Sequence, residues 1–501
     1  MMGSVKICCA VALIVIIAST GCATKDRGCH QPKGVLVEGV EEKDEHGRLF
    51  LNKFIEGSNI SDGIEKSKVK SFKEKFGVDA YSGYFKIDQE KPKNFFFFLV
   101  KSKKKKVPLI LWLNGGPGQT SLFGQFIENG PVGIDKRGNL YNRTNSLYED
   151  YDILYLDQPV GAGFSFTNDS YPKSLEDIAS DMEKFLCLFF RLFKEYLNID
   201  LYIAGESYGV RAAAAFGVHI HQNMTGRKRP PGNLKGVMCG VGLFTDTLTQ
   251  VDTSDLLLSL GLVDQHGYKE LKDNINKMKK FITNSTTVKM ALGIYLKTFG
   301  TTTNFTDPKF RLRRTGYLYN GNALKPTEPE EHVRFAELMH NKTFREDIHA
   351  GVNASFRGND LALMMNLLSD LHRSIDNELA TLLDKKTKVL VFLGQLDLKV
   401  SNVVTEKFLR NLSWTGAEKF KDAVQKPWWG RAEDKDFAGY FIKEDGLTLV
   451  KLLTSGHYPF FDQRDASNEM VRKFINNGEF ITKTVNPKTG VYEPNSAKDQ
   501  L

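Results

Sequence analysis

Leu201-Tyr202-Ile203-Ala204-Gly205-Glu206-Ser207-Tyr208-Gly209 decides the fold. The first four residues read as a buried strand, Gly205-x-Ser207-x-Gly209 as a tight turn, and the Ala-rich stretch Ala212 to Ala215 as the helix that follows. Small residues flanking the serine let the chain turn sharply and push a hydroxyl out at a sheet edge. Alone, these residues fit an ordinary glycine-rich turn equally well; the segments around them separate the two.

Outward from the turn, short apolar runs alternate with helical patterns from about Leu109 to Val241, the signature of a largely parallel sheet covered by helices. Leu109 to Leu113 and Ile153 to Leu156 read as buried strands. A helix opens at Ser174, with Asp177 as capping-box partner and an apolar face of Ile178, Met182, Phe185, Phe189 and Phe193. Late in the chain, Val389 to Leu393 and Leu447 to Leu453 resume the sheet. Between the two portions the pattern turns polar and helical, which reads as an insertion capping the site. The expected organisation is a leader over 1–23, a core over 24–244, the cap over 245–385, a second core portion over 386–480, and a polar, flexible tail over 481–501.

A serine on such a turn needs an acid and then a histidine downstream, because the acid fixes the imidazole tautomer that removes the serine proton. Asp397 follows the strand Val389 to Leu393 through Gly394-Gln395, and His457 follows Leu447 to Leu453 through Ser455-Gly456. His457 is the only one of ten histidines after Asp397. Ser207, Asp397 and His457 in that order predict an α/β-hydrolase fold: a mostly parallel central sheet, helices on both faces and an inserted helical cap. Asn114-Gly115-Gly116-Pro117-Gly118, directly after a strand, offers a backbone amide to a developing oxyanion. His219 and His221, two residues apart on a helix, face away from each other and do not suggest a metal pair.

Bulk properties narrow the setting. The 501 residues carry 68 basic and 60 acidic side chains, and the longest basic run, Lys103 to Lys106, reads as a solvated loop rather than a nucleic-acid patch. Lys6, an apolar stretch from Ile7 to Ala18, and small residues before Lys25 have the layout of a cleaved leader too short to span a bilayer. Asn-x-Ser/Thr sequons stand at Asn59, Asn142, Asn168, Asn223, Asn284, Asn304, Asn341, Asn353 and Asn411, where chance would give roughly four. The excess fits the secretory pathway. Cleavage after Ala23 leaves Cys29, Cys187 and Cys239, enough for one disulfide at most, with Cys187 expected as a buried thiol.

Five ordered motifs carry a resemblance. They are Trp112 to Gly118, Leu156-Asp157-Gln158-Pro159-Val160-Gly161-x-Gly163-Phe164-Ser165, Gly205 to Tyr208, Gly394-Gln395-Leu396-Asp397, and Gly456-His457. In that order they resemble the serine carboxypeptidase family from about Tyr81 to Ile475, with wording nearest the vitellogenic-like carboxypeptidases. The resemblance implies Ser207, Asp397 and His457 as the triad and the amides of Gly116 and Tyr208 as the oxyanion hole. It implies Trp112, Asn114, Gly115 and Glu206 as holders of a free peptide carboxylate, Glu128 as the partner of Glu206, and Tyr458 in the pocket of the leaving residue. No cofactor or metal is implied, and the expected partners are peptide or protein C-termini, without nucleic acid or stable membrane insertion. Two carboxyls touching each other and a substrate carboxylate cannot all ionise, so an acidic working range is expected.

Three departures touch the site. Gln119 stands where the family usually has a disulfide cysteine. Val210 and Ala212 to Ala214 replace a Gly and a Tyr-Val-Pro-like run, and Tyr458 replaces Met. Two rival functions remain at this stage: an esterase or acyltransferase on the same triad, and a secreted binding protein that kept the motifs without the activity. The destination reads as lysosomal or extracellular, with Lys498-Asp499-Gln500-Leu501 a weak match to an ER-retrieval signal, Gln standing where Glu is usual.

Overall fold

The computed structural model describes residues 42–494 apart from 57–58, 89, 169–170, 224–231, 283–297, 299–309, 359–360, 487–488 and 490–491. The leader, Cys29 and the last four residues lie outside the described residues.

The sheet begins earlier than the apolar alternation from Leu109 suggests. β1 (Asp79–Lys86) and β2 (Lys93–Lys101) form an antiparallel pair. β2 is an unbroken apolar run, Phe95 to Val100, buried on both faces, so it shows none of the period-two alternation that marks a half-exposed strand. Next come β3 (Leu109–Leu113), a small hairpin of β4 (Val132–Ile134) and β5 (Leu140–Asn142), then β6 (Asp152–Leu156) and the short β7 (Phe166–Thr167). β8 (Asp200–Glu206), β9 (Asn233–Gly240), β10 (Lys388–Gly394), β11 (Lys426–Trp428), β12 (Gly439–Glu444) and β13 (Leu447–Leu452) complete the main sheet.

Its order is β1-β2-β6-β3-β8-β9-β10-β13-β12-β11, with β7 beside β2. The six strands from β6 to β13 in that order are mutually parallel, and the edges are antiparallel. The order reverses between β3 and β8, since β3 sits between β6 and β8. At such a point the loops leaving the carboxyl ends of neighbouring strands part and open a crevice.

Helices cover both faces. On one, the helix Leu175–Leu192 packs against the helix Gly209–Asn223, its Phe189 edge-on and its Phe185 tilted against Phe97. Ser174 caps the first of these by accepting from the Asp177 amide at 3.1 Å, but the Asp177 carboxylate takes the Lys173 amide, so the reciprocal half of the expected capping box is absent. On the other face, the helix Arg464–Ile475 buries Met470, Val471 and Phe474.

Between β9 and β10 the described elements are helices joined by turns, with no strand of the main sheet among them. The last helix there, Asp376–Asp384, lies against the helix Gly209–Asn223 and β10, burying Leu379, Leu382 and Leu383. The stretch Thr301 to Pro308, which the sequence marks as loop-like within the insertion, lies outside the described residues. The tail after Ile481 requires correction: β14 (Lys483–Val485) pairs with β15 (Tyr492–Pro494). The pair is anchored by Tyr492 at 5.2 Å from the Trp429 ring and by the Lys483 ammonium on the Asp434 carbonyl at 2.6 Å. A polar segment holds this shape because an aromatic from β15 docks on the body of the protein.

Lys103 to Lys106 are exposed. Cys187 and Cys239 are buried. Of the sequon asparagines, Asn59, Asn142, Asn168, Asn341, Asn353 and Asn411 are exposed. Asn284 and Asn304 lie outside the described residues, as does the side chain of Asn223. No helix among the described residues is long and apolar enough to cross a membrane.

Candidate active site

The turn after β8 explains its own glycines. Ser207 sits at φ +55°, a left-handed conformation that costs a non-glycine residue roughly 1–3 kcal/mol and persists only where the surroundings impose it. They do so here: the Ser207 amide donates to Gly240 O at 2.9 Å, and its carbonyl accepts from Leu243 N at 3.2 Å. A Cβ at Gly205 would overlap the Gly209 carbonyl, and one at Gly209 would overlap the Leu113 carbonyl, so neither position admits a side chain. Val210 and Ala212 to Ala214, which depart from the family wording, are fully buried in the core behind the turn.

The glycine-rich loop after β3 lies directly on this corner. A Cβ at Gly115 would fall 2.7 Å from Ser207 Cβ and 2.7 Å from Tyr208 N, so the Gly115-Gly116 backbone runs beside the Tyr208 amide. Asp157, a motif residue to which the sequence assigned no role, holds the loop. Its carboxylate accepts from Thr120 Oγ1 at 2.6 Å, Ser121 N at 2.8 Å and Phe164 N at 2.8 Å, and Ser121 Oγ in turn accepts from Asn114 N at 3.0 Å. Burial pushes Asp157 up to about 6 despite those donors.

β10 and β13 are parallel neighbours, which brings the loops bearing Asp397 and His457 together. His457 Nδ1 lies 2.8 Å from Asp397 Oδ2. The other carboxylate oxygen of Asp397 accepts from the amides of Lys399 at 2.7 Å and Val400 at 3.0 Å. The His457 turn is fixed by its amide on Gly321 O at 2.6 Å and by Gly456 N on Asp462 Oδ2 at 2.8 Å. Ser207, at the carboxyl end of β8 on the same sheet edge, has no hydrogen bond from its hydroxyl among the described residues. Apo enzymes often leave this bond to be drawn in by substrate.

The third group surrounds Asn114. Its Oδ1 accepts from Trp112 Nε1 at 3.0 Å and Gly124 N at 3.1 Å, which fixes the amide orientation and directs Nδ2 to Glu128 Oε2 at 3.3 Å. Glu128 ends a single π turn (Gly124–Glu128), whose carbonyls at Gln125 and Phe126 accept from the buried Arg143 guanidinium. Glu128 and Glu206 are 0% and 2% exposed. Glu128 Oε1 and both oxygens of Glu206 lack any ordinary donor. Burial, before any charge effect, pushes Glu128 up to about 7. Burial and then the charge and hydrogen bond of Glu128 push Glu206 well above the carboxylate range. A proton on Glu206 donated to Glu128 is what satisfies both.

Tyr458 stands between His457 and Phe123. Its ring lies 5.2 Å from the His457 ring and 4.9 Å from Phe123, the residue before Gly124. His219 and His221 point to different partners, Glu183 and Thr387.

The model of the serine carboxypeptidase family matches residues 71–477. The chain belongs to that family. Among its relatives, this carboxypeptidase is 32% identical to the venom serine carboxypeptidase of Apis mellifera, the match covering 90% of this chain and 95% of the relative. It is 29% identical to the vitellogenic carboxypeptidase of Aedes aegypti over 92% and 98% of the two chains. A solved structure of a prohormone-processing carboxypeptidase, Kex1 of Saccharomyces cerevisiae, superposes with a TM-score of 0.67, covering 83% and 94% of the chains at 21% identity, and shares the fold.

Proposed function

We propose that this carboxypeptidase cleaves the last peptide bond through an acyl-enzyme on Ser207, with His457 as base and Asp397 as the group that orients it. The Asp397–His457 pair at 2.8 Å, on the sheet edge that carries the strained serine, is the observation that supports this reading. Aspartate on Nδ1 leaves Nε2 to take the proton as Ser207 Oγ attacks the carbonyl. The oxyanion is received by the amides of Gly116 and Tyr208. His457 then protonates the leaving nitrogen, and water, deprotonated in turn, releases the acyl group.

The free carboxylate of the substrate is held by Asn114, Gly115, Glu206 and Glu128, with Trp112 fixing Asn114. A protonated pair of glutamic acids accepts a carboxylate as a hydrogen-bond partner; an ionised pair repels it. The sign follows from the raised values: both carboxyls are neutral in mild acid, and as pH climbs past about 7 Glu128 loses its proton, so KM rises. An esterase needs no such carboxylate holder, which favours peptides over esters as substrates. Exposed sequons at six positions support passage through the secretory pathway to a lysosomal or extracellular destination.

Incubating the protein with an N-blocked dipeptide at mildly acidic pH, beside Ser207→Ala, tests the proposal. Release of the C-terminal amino acid by the wild type alone is expected. Ester cleavage without peptide cleavage would favour the esterase, and no turnover of either would favour a binding protein.

A further inference from the structure

A cation without a carboxylate partner stands behind Tyr458. The backbone amide of Lys399 is committed to Asp397, but its ammonium reaches the Tyr458 hydroxyl at 2.9 Å and lies 4.7 Å from the centroid of that ring. Lys399 is partly buried, and no Asp or Glu is ion-paired to it among the described residues. Glu328, an acid whose field reaches it, is engaged instead by His332 Nδ1 at 2.7 Å. A partly buried ammonium with a neutral phenol as its acceptor retains unmet demand for negative charge. Burial works to lower its pKa, but Tyr458, Glu328 and Asp397 outweigh that and hold it above the usual lysine value, so the side chain is a cation at any working pH.

The position of Tyr458 says what meets this cation. A substrate whose carboxylate lies at Asn114 and Glu206, and whose scissile nitrogen lies at His457, has the Cα of its last residue between them. The side chain on that carbon faces the wall between the two groups, which is Tyr458 against His457 on one side and Phe123 on the other. His332, 5.2 Å from Tyr458, continues the wall, ringed by Phe123, Tyr319 and Phe461. An aromatic wall suits methylenes, and an unpaired ammonium at its end suits a terminal anion.

We propose that Lys399, presented through Tyr458, sets the specificity for the released residue and favours an acidic one, glutamate above its neutral isostere glutamine and above lysine. This deepens the carboxypeptidase reading and rests on it.

The test measures kcat/KM on four N-blocked dipeptides that share a penultimate residue and end in Glu, Gln, Leu or Lys, at about pH 5.5, where a glutamate side chain is ionised. The wild type should prefer Glu over Gln by about tenfold, the order of one well-placed charge contact. Lys399→Met should bring that ratio near one, Lys399→Arg should keep a preference, and Lys399→Glu should invert the order toward lysine. Thermal melts establish that each variant is folded. A wild-type Glu/Gln ratio near one, or a ratio that Lys399→Met leaves unchanged, overturns the specificity claim while the Leu peptide still reports an intact carboxypeptidase. Absence of release from all four peptides by the wild type would instead bring down the underlying reading, and the specificity claim with it.

Discussion

Two buried acidic centres flank the proposed nucleophile, and they have opposite fates. Asp397 is 1% exposed, and its two oxygens receive two backbone amides and an imidazole. Glu206 is 2% exposed, and neither oxygen has an ordinary donor. Burial is the same, so burial does not decide charge. Company differs: Asp397 is met by N–H groups, whereas Glu206 faces another carboxyl, and that confrontation makes it take up a proton. The proposed site thereby sets a hydrogen-bonded carboxylate against the imidazole and a protonated carboxyl where the substrate carboxylate is proposed to bind.

The largest effect expected from breaking this contrast is on Asp397. Asp397→Asn keeps the shape but replaces an acceptor facing the imidazole by a group that can impose the wrong tautomer, so kcat should fall about 10⁴-fold. Steady-state rates on an N-blocked dipeptide measure it, and a loss of only a few-fold would deny Asp397 its role. Next comes Glu206→Gln, which removes one carboxyl of the pair but keeps a donor. KM for peptides should rise about tenfold, with kcat on an uncharged ester nearly unchanged. An equal loss on peptide and ester would place Glu206 in the architecture rather than in carboxylate binding.

The smallest effect is thermodynamic. Glu128 binds its proton up to about 7 when folded and gives it up near 4.5 when unfolded, so the folded state holds more protons between those values and stability falls as pH rises through them. Glu128→Gln removes this term. Denaturant unfolding at about pH 5 and 8 should show the wild type losing on the order of 2 kcal/mol more than the variant across that span. Parallel curves for the two proteins would mean that the carboxyl is ionised in its buried place.

Strand-end punctuation carried the positions of Ser207, Asp397 and His457, because parallel strands buried on both faces are short apolar runs and glycine marks their exits. The clash that a Cβ at Gly205 or Gly209 would suffer is the physical content of that punctuation. β2 escaped the same reading: Phe95 to Val100 is apolar throughout, and periodicity has nothing to measure in a run buried on both faces. The hairpin of β14 and β15 escaped for the opposite reason, since a polar segment owes its shape to the distant Trp429.

Chain order and residue chemistry therefore determined which strands precede the groups proposed to react. Tertiary structure alone decided their charge and their company: the amides of Lys399 and Val400 on Asp397, the confrontation of Glu128 with Glu206, and the ammonium of Lys399 on Tyr458. Spacing along a chain encodes local turns, but protonation depends on which donors and charges stand within a few ångströms through space, and those come from segments far apart in sequence.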